Sequence, residues 1–462
     1  MNTPITPPIY ELGPDFYDEV APASFPQALL RYRNQKAAES IGLGELTPQA
    51  WQKHFWAFEA LPGNISKPLA LRYHGHQFRY YNPDLGDGRG FLFAQLQTPH
   101  KLFDLGTKGS GQTPYSRNGD GRLTLKGAFR EILATELLES YGVNTSKTFS
   151  VFETGENLVR SDEPSPTRSA VLVRLNHSHI RIGAFQRLAF LKQTENIQKL
   201  TAYCVQHYYP HLAGLDGIEQ ASLFLREVSH ALARTTAEWM MAGFVHGVLN
   251  SDNMNITGES FDYGPYRFLR NYDPNFTAAY FDHQGLYCYG RQPVSVLWNL
   301  HQLGGALKTA YPDLPVDDFL EDFSDEFNVH VQNCLLRRLN LKTNAEHIDN
   351  LIVQLFGFME KEKPLFEQCL FDLHSGLNEE RLRNSPQAKA YESASFSELK
   401  ETLNRFSMAD EAKANHAYFK QGRACSLIID ELEAIWAPIA EKDDWGLFEQ
   451  KLEQIRSFRG VY

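Results

Sequence analysis

The chain has 462 residues and a mass of 52.7 kDa, more than one core usually organises, since single cores stop growing at about 250 to 300 residues. Hydrophobic residues make up 42% and charged residues 22% of the sequence, as in ordinary folded proteins, so long disordered regions are not expected. The formal net charge of -11 counts against nucleic acids and anionic membranes as partners, because both attract clustered Lys and Arg.

The sequence shows no sign of a membrane segment or a leader. No run of about 18 apolar residues could cross a bilayer, and the first 30 residues contain no Lys or Arg, unlike secretory or transit peptides. These features predict a protein of the reducing cytoplasm. The cysteines form no Cys-x-x-Cys pair, which favours neither a zinc knuckle nor a disulfide framework; they are Cys204, Cys288, Cys334, Cys369 and Cys425.

In chain order, residues 1–65 are rich in Pro and aromatic residues and are interpreted as an N-terminal arm packing on the body, with a short helix around 49–59. Alternating apolar residues between glycine turns then predict strands. An apolar stripe from Phe129 to Leu138, followed by Gly142, predicts a helix. The predicted strands cover 69–73, 90–96, 101–106, 148–153 and 169–174, and this helix covers 125–140.

From about residue 195 onward, helical periodicity dominates the sequence. We therefore assign the chain to the α+β class, with a strand-rich N-lobe over 66–193 and a larger helical C-lobe over 194–462. The last part of the C-lobe, from Phe396 to Tyr462, is expected to be a helical extension, and no motif in it indicates a function.

Three glycines at alternate positions, Gly86, Gly88 and Gly90, lie between two of the predicted strands. Without side chains, they allow the backbone to approach a ligand closely. A glycine loop between strands covers the phosphates in the small lobe of protein kinases. By itself the pattern favours a simple hairpin turn, so its weight comes from the residues that follow.

Lys108 ends the strand after the glycine loop, and Glu131 lies on the helix that follows. An ion pair between them could orient the ammonium group toward phosphate oxygens. The order of strand, glycine loop, strand, Lys and helical Glu predicts a protein-kinase-like bilobal fold. The string around Lys108 is not a P-loop, because its Lys precedes the glycines. For Lys108 taken alone, an exposed lysine at a strand end is the alternative.

The stretch His246-Gly-Val-Leu-Asn-Ser-Asp-Asn253 keeps the separation between the His and the metal-binding Asn of a kinase catalytic loop. A kinase places its catalytic Asp two residues after the His. Here that position is Val248, which cannot accept a proton, and a carboxylate stands at Asp252 instead. The segment predicts nucleotide and divalent-metal binding without the usual base.

Asp262-Tyr-Gly264 repeats the kinase pattern of a metal-binding Asp followed by an aromatic residue and a glycine. The Asn253 amide oxygen and the Asp262 carboxylate are hard oxygen ligands, which suit Mg²⁺ or Mn²⁺ rather than Zn²⁺. Taken alone, the tripeptide is more typical of a turn. Arg174 and Arg181 could bind phosphates in a bidentate manner, or they could be solvated cations at a strand edge, and the sequence leaves this choice open.

The motifs that carry the strongest pattern are Tyr73-His-Gly-His-Gln-Phe78, Leu85-Gly-Asp-Gly-Arg-Gly90, Lys108-Gly-Ser-Gly-Gln-Thr-Pro-Tyr-Ser-Arg117, Gly119-Asp-Gly-Arg122, His246-Gly-Val-Leu-Asn-Ser-Asp-Asn-Met254 and Asp262-Tyr-Gly-Pro265. In this order they resemble the selenoprotein O family over roughly residues 10–310. The resemblance implies a kinase-like fold, described as a pseudokinase, and protein adenylyltransferase activity. Members bind ATP in a flipped orientation and transfer AMP to protein hydroxyls, here expected to be those of Ser, Thr or Tyr.

The same resemblance implies roles for individual residues. Asp252 would accept the proton, and Asn253 and Asp262 would hold the metal. Glu131, placed beside Lys108 by the order of elements, would orient the lysine. The residues implied to bind the nucleotide are Gly86, Gly88, Arg89, Lys108, Asp120, Gly121, Arg174 and Arg181.

The chain departs from the family at its cysteines. Relatives commonly end in a redox-active Cys or selenocysteine, whereas this chain ends in Tyr462, and Ala278 and Ala279 stand where some bacterial relatives have a partner cysteine. We therefore expect no thiol control of activity.

Two other functions remain open at this point. A kinase of the aminoglycoside-phosphotransferase type is disfavoured by Val248. A nucleotide-binding pseudokinase that only scaffolds partners is disfavoured by the complete set of Lys108, Glu131, Asn253 and Asp262.

Overall fold

A computed structural model describes residues 6–161 and 163–462 of the chain. Residues 1–5 of the predicted N-terminal arm lie outside the described residues. In the described part, strands form at β1 (Tyr17–Glu19), β2 (Leu29–Arg33), β3 (Leu69–Leu71), β4 (Gly75–Gln77), β5 (Tyr80–Asn82), β6 (Leu92–Gln97), β7 (Leu102–Lys108), β8 (Leu123–Thr124), β9 (Lys147–Leu158), β10 (Thr167–Asn176), β11 (Phe244–Val245) and β12 (Arg267–Phe268).

A large antiparallel sheet is the main β structure. Its strand order is β1-β3-β6-β7-β10-β9-β2. Lys108, the last residue of β7, is opposite Leu172 of β10, and β8 continues the same edge by pairing Leu123 with Ala170. The chain therefore leaves the sheet after Lys108 and returns at Leu123, and the intervening loop lies beside the end of β7.

The α-helices of the described residues are α1 (Gln35–Ser40), α2 (Pro48–Phe55), α3 (Leu125–Ser140), α4 (Ile182–Phe190), α5 (Thr194–Tyr208), α6 (Gly217–Met241), α7 (Gln292–Lys308), α8 (Val316–Leu320), α9 (Phe323–Leu339), α10 (Ile348–Glu362), α11 (Phe366–Asp372), α12 (Glu379–Asn384), α13 (Ala394–Leu403), α14 (Glu411–Ala414), α15 (Ile429–Lys442) and α16 (Gly446–Ser457). Short 3-10 turns connect several of them, including one at Ser251–Asn253.

The ends of α3 are set by local chemistry. The Thr124 side chain accepts a hydrogen bond from the Gly127 amide at 3.1 Å, which caps the first turn. After the helix, Gly142 takes a φ of 79°, a conformation that glycine adopts at little cost. The helix predicted over 125–140 is thereby confirmed.

Both faces of the large sheet are covered. On one face, Trp51 and Phe55 of α2 pack against Phe149 of β9. On the other, apolar residues of α3, such as Leu133, share a core with Val151 of β9. Residues on both faces of the central strands are therefore apolar, as expected for a sheet that is buried on both sides.

The predicted strands are confirmed as parts of β3, β6, β7, β9 and β10. The segment 1–65 does more than lie on the body, because β1 and β2 within it form the two edges of the large sheet. From residue 194 onward the chain is mainly helical, as expected. The fold is thus mixed, with one large antiparallel sheet and many helices.

The two short strands β11 and β12 enclose residues 246–266, the segment that contains Asp252, Asn253 and Asp262. Phe244 pairs with Phe268 and Val245 with Arg267, so the two ends of this segment lie side by side. No helix among the described residues is long and apolar enough to cross a membrane.

Candidate active site

A cavity of about 780 Å³ brings together the sheet, the loop after β7 and the segment between β11 and β12. This volume is in the usual range of small-ligand sites. Although the whole chain carries a formal charge of -11, cationic side chains outnumber carboxylates in the cavity. Its lining includes Arg89, Lys108, Arg117, Arg122, Arg160, Arg174 and Arg181, together with Asp87, Asp120, Asp252 and Asp262. Such a lining favours an anionic ligand.

Lys108 lies at the centre of this charge arrangement. Its Nζ is 2.7 Å from Oε2 of Glu131 on α3 and 2.9 Å from Oδ1 of Asp262. The Lys108 side chain is only 4% exposed, because β7 ends inside the cavity wall. An exposed lysine at a strand end is therefore excluded, and the Lys–Glu pair expected from the sequence is present.

Arg174 and Arg181 are both buried, which rules out solvated cations at a strand edge. Arg174 Nη2 lies 3.8 Å from Oδ1 of Asp262, and Arg181 Nη2 lies 3.3 Å from Oδ1 of Asp87. Both guanidinium groups also lie over the Phe261 ring. Nε of each, and Nη1 of Arg174, are buried and have no hydrogen-bond partner in the part of the chain that the structure describes. Buried donors left without acceptors are costly, and phosphate oxygens would satisfy them.

Asp262 is an ionised carboxylate in this environment. Burial alone would raise the pKa of Asp262, but Lys108, Arg174, Arg181 and Arg89 together hold it well below its usual value. The residue has a φ of 61°. Its neighbour Phe261 is fixed by His246, whose Nε2 lies 3.0 Å from the Phe261 carbonyl oxygen.

Asn253 is oriented by its own backbone surroundings. Its Nδ2 donates a hydrogen bond to the Val248 carbonyl at 2.9 Å, so its amide oxygen remains available as a ligand. Asn253 and Asp262 line the same cavity. An amide oxygen and an ionised carboxylate beside a cavity that favours anions fit Mg²⁺ or Mn²⁺.

Asp252 stands out among the carboxylates of the cavity. Its Oδ1 is buried and has no hydrogen-bond partner among the described residues. Burial raises the pKa of Asp252 to about 6, Arg181 opposes this shift, and the negative charge of Asp262 adds to it. Arg181 Nη1 donates to the Asp252 backbone carbonyl at 2.9 Å, which fixes the main chain at this position.

Glycines allow the loop between β7 and β8 to pack closely against the glycine loop. A Cβ on Gly86 would lie 2.3 Å from the Tyr115 ring, and one on Gly88 would lie 2.8 Å from the Tyr115 carbonyl oxygen. Gly121 has a φ of 68°, and a Cβ there would lie 2.2 Å from the Gly111 backbone. Two loops thus pack together and form one wall of the cavity.

Arg89 and Asp120 occupy the exposed part of the same wall. Asp120 accepts hydrogen bonds from Arg160 at 2.8 and 3.1 Å and from the Arg122 backbone amide at 2.9 Å. Arg89 makes no ion pair with any residue that the structure describes.

The structure brings all the predicted site residues to one cavity, with Glu131 reaching it through Lys108.

Several residues of the site were missed by sequence reasoning. Asp87, between two of the motif glycines, holds Arg181 and accepts the Leu71 amide at 3.1 Å; its place in the glycine loop was the available signal. Arg160 pairs with Asp120 across 40 positions, and no local pattern could have indicated it. Tyr73, whose ring lies 4.5 Å from the Arg181 guanidinium carbon, belongs to a recognised motif.

Comparison with known proteins gives consistent results. The family model described as "Protein adenylyltransferase SelO" matches residues 1–456. Proteins named "Protein nucleotidyltransferase YdiU" from Synechocystis sp. and Trichormus variabilis are 39% and 40% identical to the chain, over 99% and 98% of its length and 98% and 95% of theirs. The protein of that name from Trichodesmium erythraeum is 41% identical, over 97% of each.

These matches show that the chain is an enzyme of the nucleotidyltransferase class. It belongs to the SelO family of protein adenylyltransferases, over nearly its whole length. The family expected from the motifs is thereby confirmed.

Proposed function

We propose that this protein transfers AMP from ATP to Ser, Thr or Tyr hydroxyls of other proteins, in a metal-dependent reaction with ATP bound in a flipped orientation. The observation that carries this proposal is the position of the carboxylate in the segment 246–253. Val248 and Asp252 line the same cavity, and the carboxylate stands at the second of them rather than at the kinase position. A hydroxyl acceptor must therefore approach from the side of Asp252, which agrees with a reversed nucleotide.

In the proposed reaction, the acceptor hydroxyl oxygen attacks the α-phosphorus of ATP. The new bond is an ester between that oxygen and AMP, and the bond to the leaving pyrophosphate breaks. Asp252 accepts the hydroxyl proton, for which its unpartnered Oδ1 is available. A carboxylate with a pKa near 6 is ionised at neutral pH and is a better proton acceptor than an unperturbed Asp.

The phosphates would be held by the cationic side chains of the cavity. Lys108 is positioned by Glu131, and the unpartnered guanidinium nitrogens of Arg174 and Arg181 supply further donors. Arg89 is exposed at the glycine loop and free to reach the ligand. The remaining nucleotide contacts are assigned to Gly86, Gly88, Asp120 and Gly121, which line the same cavity.

Asn253 and Asp262 would hold Mg²⁺ or Mn²⁺. When bound, such an ion neutralises charge on the phosphate oxygens in the transition state. The protein's own part is to keep Asp262 ionised beside Lys108 and to orient the Asn253 amide through Val248.

We also propose that the fold is protein-kinase-like and bilobal, with the N-lobe over 66–193 and the helical C-lobe over 194–462. The support is the order of elements: a glycine loop, β7 ending at Lys108, α3 bearing Glu131, and a later hairpin bearing Asn253 and Asp262.

The test is incubation of the purified protein with metal and ATP labelled at either the α or the γ phosphate, followed by electrophoresis and intact-mass measurement. We expect only α label on protein and a mass gain of one AMP. Asp252→Asn should lose this transfer and still bind ATP, whereas Asp349→Asn, an exposed carboxylate on α10, should behave like the parent. Label from the γ phosphate would establish a kinase instead, and binding of ATP without any label would establish a scaffold.

A further inference from the structure

A second cavity of about 530 Å³ adjoins the candidate active site. It is lined by the start of α3, by the segment after Asp262 and by residues 278–281. Arg89, Lys108, Arg122 and Arg160 line both cavities. We call this second cavity the acceptor groove. Since the first cavity alone is large enough for a nucleotide, the groove is additional space beside it.

Two arginines of the groove lack carboxylate partners. Arg130 Nη2 donates to the Tyr266 carbonyl at 2.9 Å, and Arg267 Nη1 donates to the Pro265 carbonyl at 3.0 Å. Neither forms an ion pair with a residue in the described part of the chain. Burial, and then the neighbouring charge of Arg130, lower the pKa of Arg267. Glu433 opposes this shift only weakly, as the last of its causes. Two like charges held side by side without a direct ion pair to a carboxylate of the described residues favour binding of an anion.

Exposed aromatic residues lie at the other side of the groove. Tyr280 is 79% exposed and Phe281 is 43% exposed. Their ring centroids are 5.1 Å apart, and Phe281 also packs on Phe78, with 5.8 Å between ring centroids. Large aromatic side chains left in water beside a cleft are characteristic of protein-binding surfaces.

Carboxylates are sparse in the groove. Among the described lining residues only Glu163 and Glu433 carry negative charge, and Glu433 pairs with Lys126 at 2.7 Å. Cationic side chains therefore predominate along the groove. Clustered arginines with adjacent aromatic residues recognise acidic peptide segments in other proteins.

We propose that the acceptor groove binds an acidic segment of the protein substrate and so presents a neighbouring hydroxyl to the active site. Arg130 and Arg267 bind carboxylates of this segment, and Tyr280 and Phe281 contact its apolar side chains. This inference rests on the proposed function, because it names the class of acceptor for the same active site.

The test uses two synthetic peptides of equal length, each with one Tyr, flanked either by Asp and Glu or by Lys and Arg. Binding to the full chain is measured by fluorescence anisotropy, and AMP transfer is measured with α-labelled ATP. We expect the acidic peptide to bind more tightly and to have the lower KM. Raising the salt concentration should reduce this preference, because the contacts are partly exposed.

Variants separate recognition from damage to the fold. Arg267→Gln should raise the KM for the acidic peptide about tenfold with little change in the KM for ATP. Glu433→Gln should lower the KM for the acidic peptide about threefold, a gain that misfolding cannot produce. Arg226→Gln, an arginine on α6 outside the groove, is the matched control and should leave both values unchanged.

Equal binding of the two peptides, or an unchanged KM in both Arg267→Gln and Glu433→Gln, would overturn the acceptor groove. Failure of the proposed function is a different result: no α label on either peptide or on the chain itself. Since peptide binding is measured without catalysis, the groove is tested even in that case.

Discussion

Asp262 combines an uncommon backbone conformation with a carboxyl group whose pKa is held well below its usual value. Asp and Asn tolerate its φ of 61° better than other residues with a side chain. The surrounding cations keep the carboxylate charged although it is partly buried. This position therefore has two separate requirements, one for the backbone and one for charge, and a single substitution can separate them.

We expect Asp262→Asn to fold normally, because Asn accepts the same backbone conformation. Loss of the charge should reduce AMP transfer at least about a hundredfold, with weaker binding of Mn²⁺. ATP binding without metal should persist, since Lys108 and Arg174 lose a competing carboxylate. Thermal unfolding, calorimetric titration and the α-label assay measure these effects. Normal transfer by the variant would remove Asp262 from the metal site.

His374 offers a pH-dependent test of stability away from the active site. Its ring is stacked on Phe419 with 3.7 Å between centroids, and Nδ1 lies 3.0 Å from the Arg338 carbonyl oxygen. Burial is the main cause that lowers the pKa of His374 to about 4. The folded protein therefore favours the neutral ring, and its stability falls as the pH drops below the unfolded-state pKa of about 6.5.

His374→Gln should destabilise the protein at pH 7.5 through lost packing. At pH 5 the difference between variant and parent should shrink by roughly 1 to 2 kcal/mol, because only the parent must keep this imidazole neutral. Urea unfolding of both proteins at the two pH values measures the effect. If the stability difference between variant and parent were the same at both pH values, burial would not be what keeps the ring neutral.

At the scale of elements, the segment around β4 is attached directly to the segment that carries Asp252. The His76 amide donates to Ser251 Oγ at 2.7 Å, and the Phe78 amide donates to Asn250 Oδ1 at 3.1 Å. A Cβ on Gly75 would lie 3.1 Å from Cβ and 3.2 Å from Oδ1 of Asp252. The position of the proposed base is thus set by an element far away in sequence.

Gly75→Ala should displace the Asp252 side chain by a few tenths of an ångström. We expect AMP transfer to fall about tenfold, because catalysis is sensitive to small errors in placement, while ATP binding changes little. Gly357→Ala on α10 is the control, since a Cβ there meets no atom of the described residues within 4 Å. Equal activity of Gly75→Ala and the parent would contradict the proposed role of this packing.

At the scale of the whole molecule, the C-terminal helices support the helix that bears Glu131. Glu136 of α3 has a side chain only 2% exposed, and it receives Arg456 Nε at 3.1 Å and Arg459 Nη2 at 2.5 Å. Burial would raise the pKa of Glu136, but these arginines and a hydrogen bond from Tyr32 hold it below its usual value. The C-terminal residues, in which the sequence shows no motif, are thereby attached to α3, the helix that places Glu131 beside Lys108.

Replacing both Arg456 and Arg459 by Ala should lower the free energy of unfolding by about 3 kcal/mol, because Glu136 would remain buried and unpaired. Adding Glu136→Gln to this double variant should restore part of the stability, since a neutral amide needs no counter-charge. Denaturant unfolding of the parent, double and triple variants gives the comparison. A triple variant no more stable than the double variant would count against this ion-pair network.

The cysteines lead to a prediction about the whole enzyme. All five are unpaired and buried, and burial raises the pKa of Cys334 to about 11 and that of Cys425 to about 12. Such thiols react slowly. Dithiothreitol or diamide should change the rate of AMP transfer by less than about twofold, and Cys425→Ser should respond in the same way. A large gain or loss of activity on either treatment would reveal a thiol switch.

The sequence by itself determined the elements and the motif residues. Strands and helices such as β7 and α3 follow from local periodicity and capping, and the spacing of Val248, Asp252, Asn253 and Asp262 indicated the chemistry. These signals are local, so they do not depend on how distant segments pack.

Only the tertiary structure decided how those residues are paired and exposed. Burial of Arg174 and Arg181 excluded the alternative of solvated cations. The contacts of Asp87 with Arg181, of Gly75 with Asp252 and of Glu136 with the C-terminus join residues far apart in the chain. Desolvation and ion pairing depend on such long-range neighbours, so the pKa of Asp252 and the acceptor groove were set by the fold and not by any local pattern.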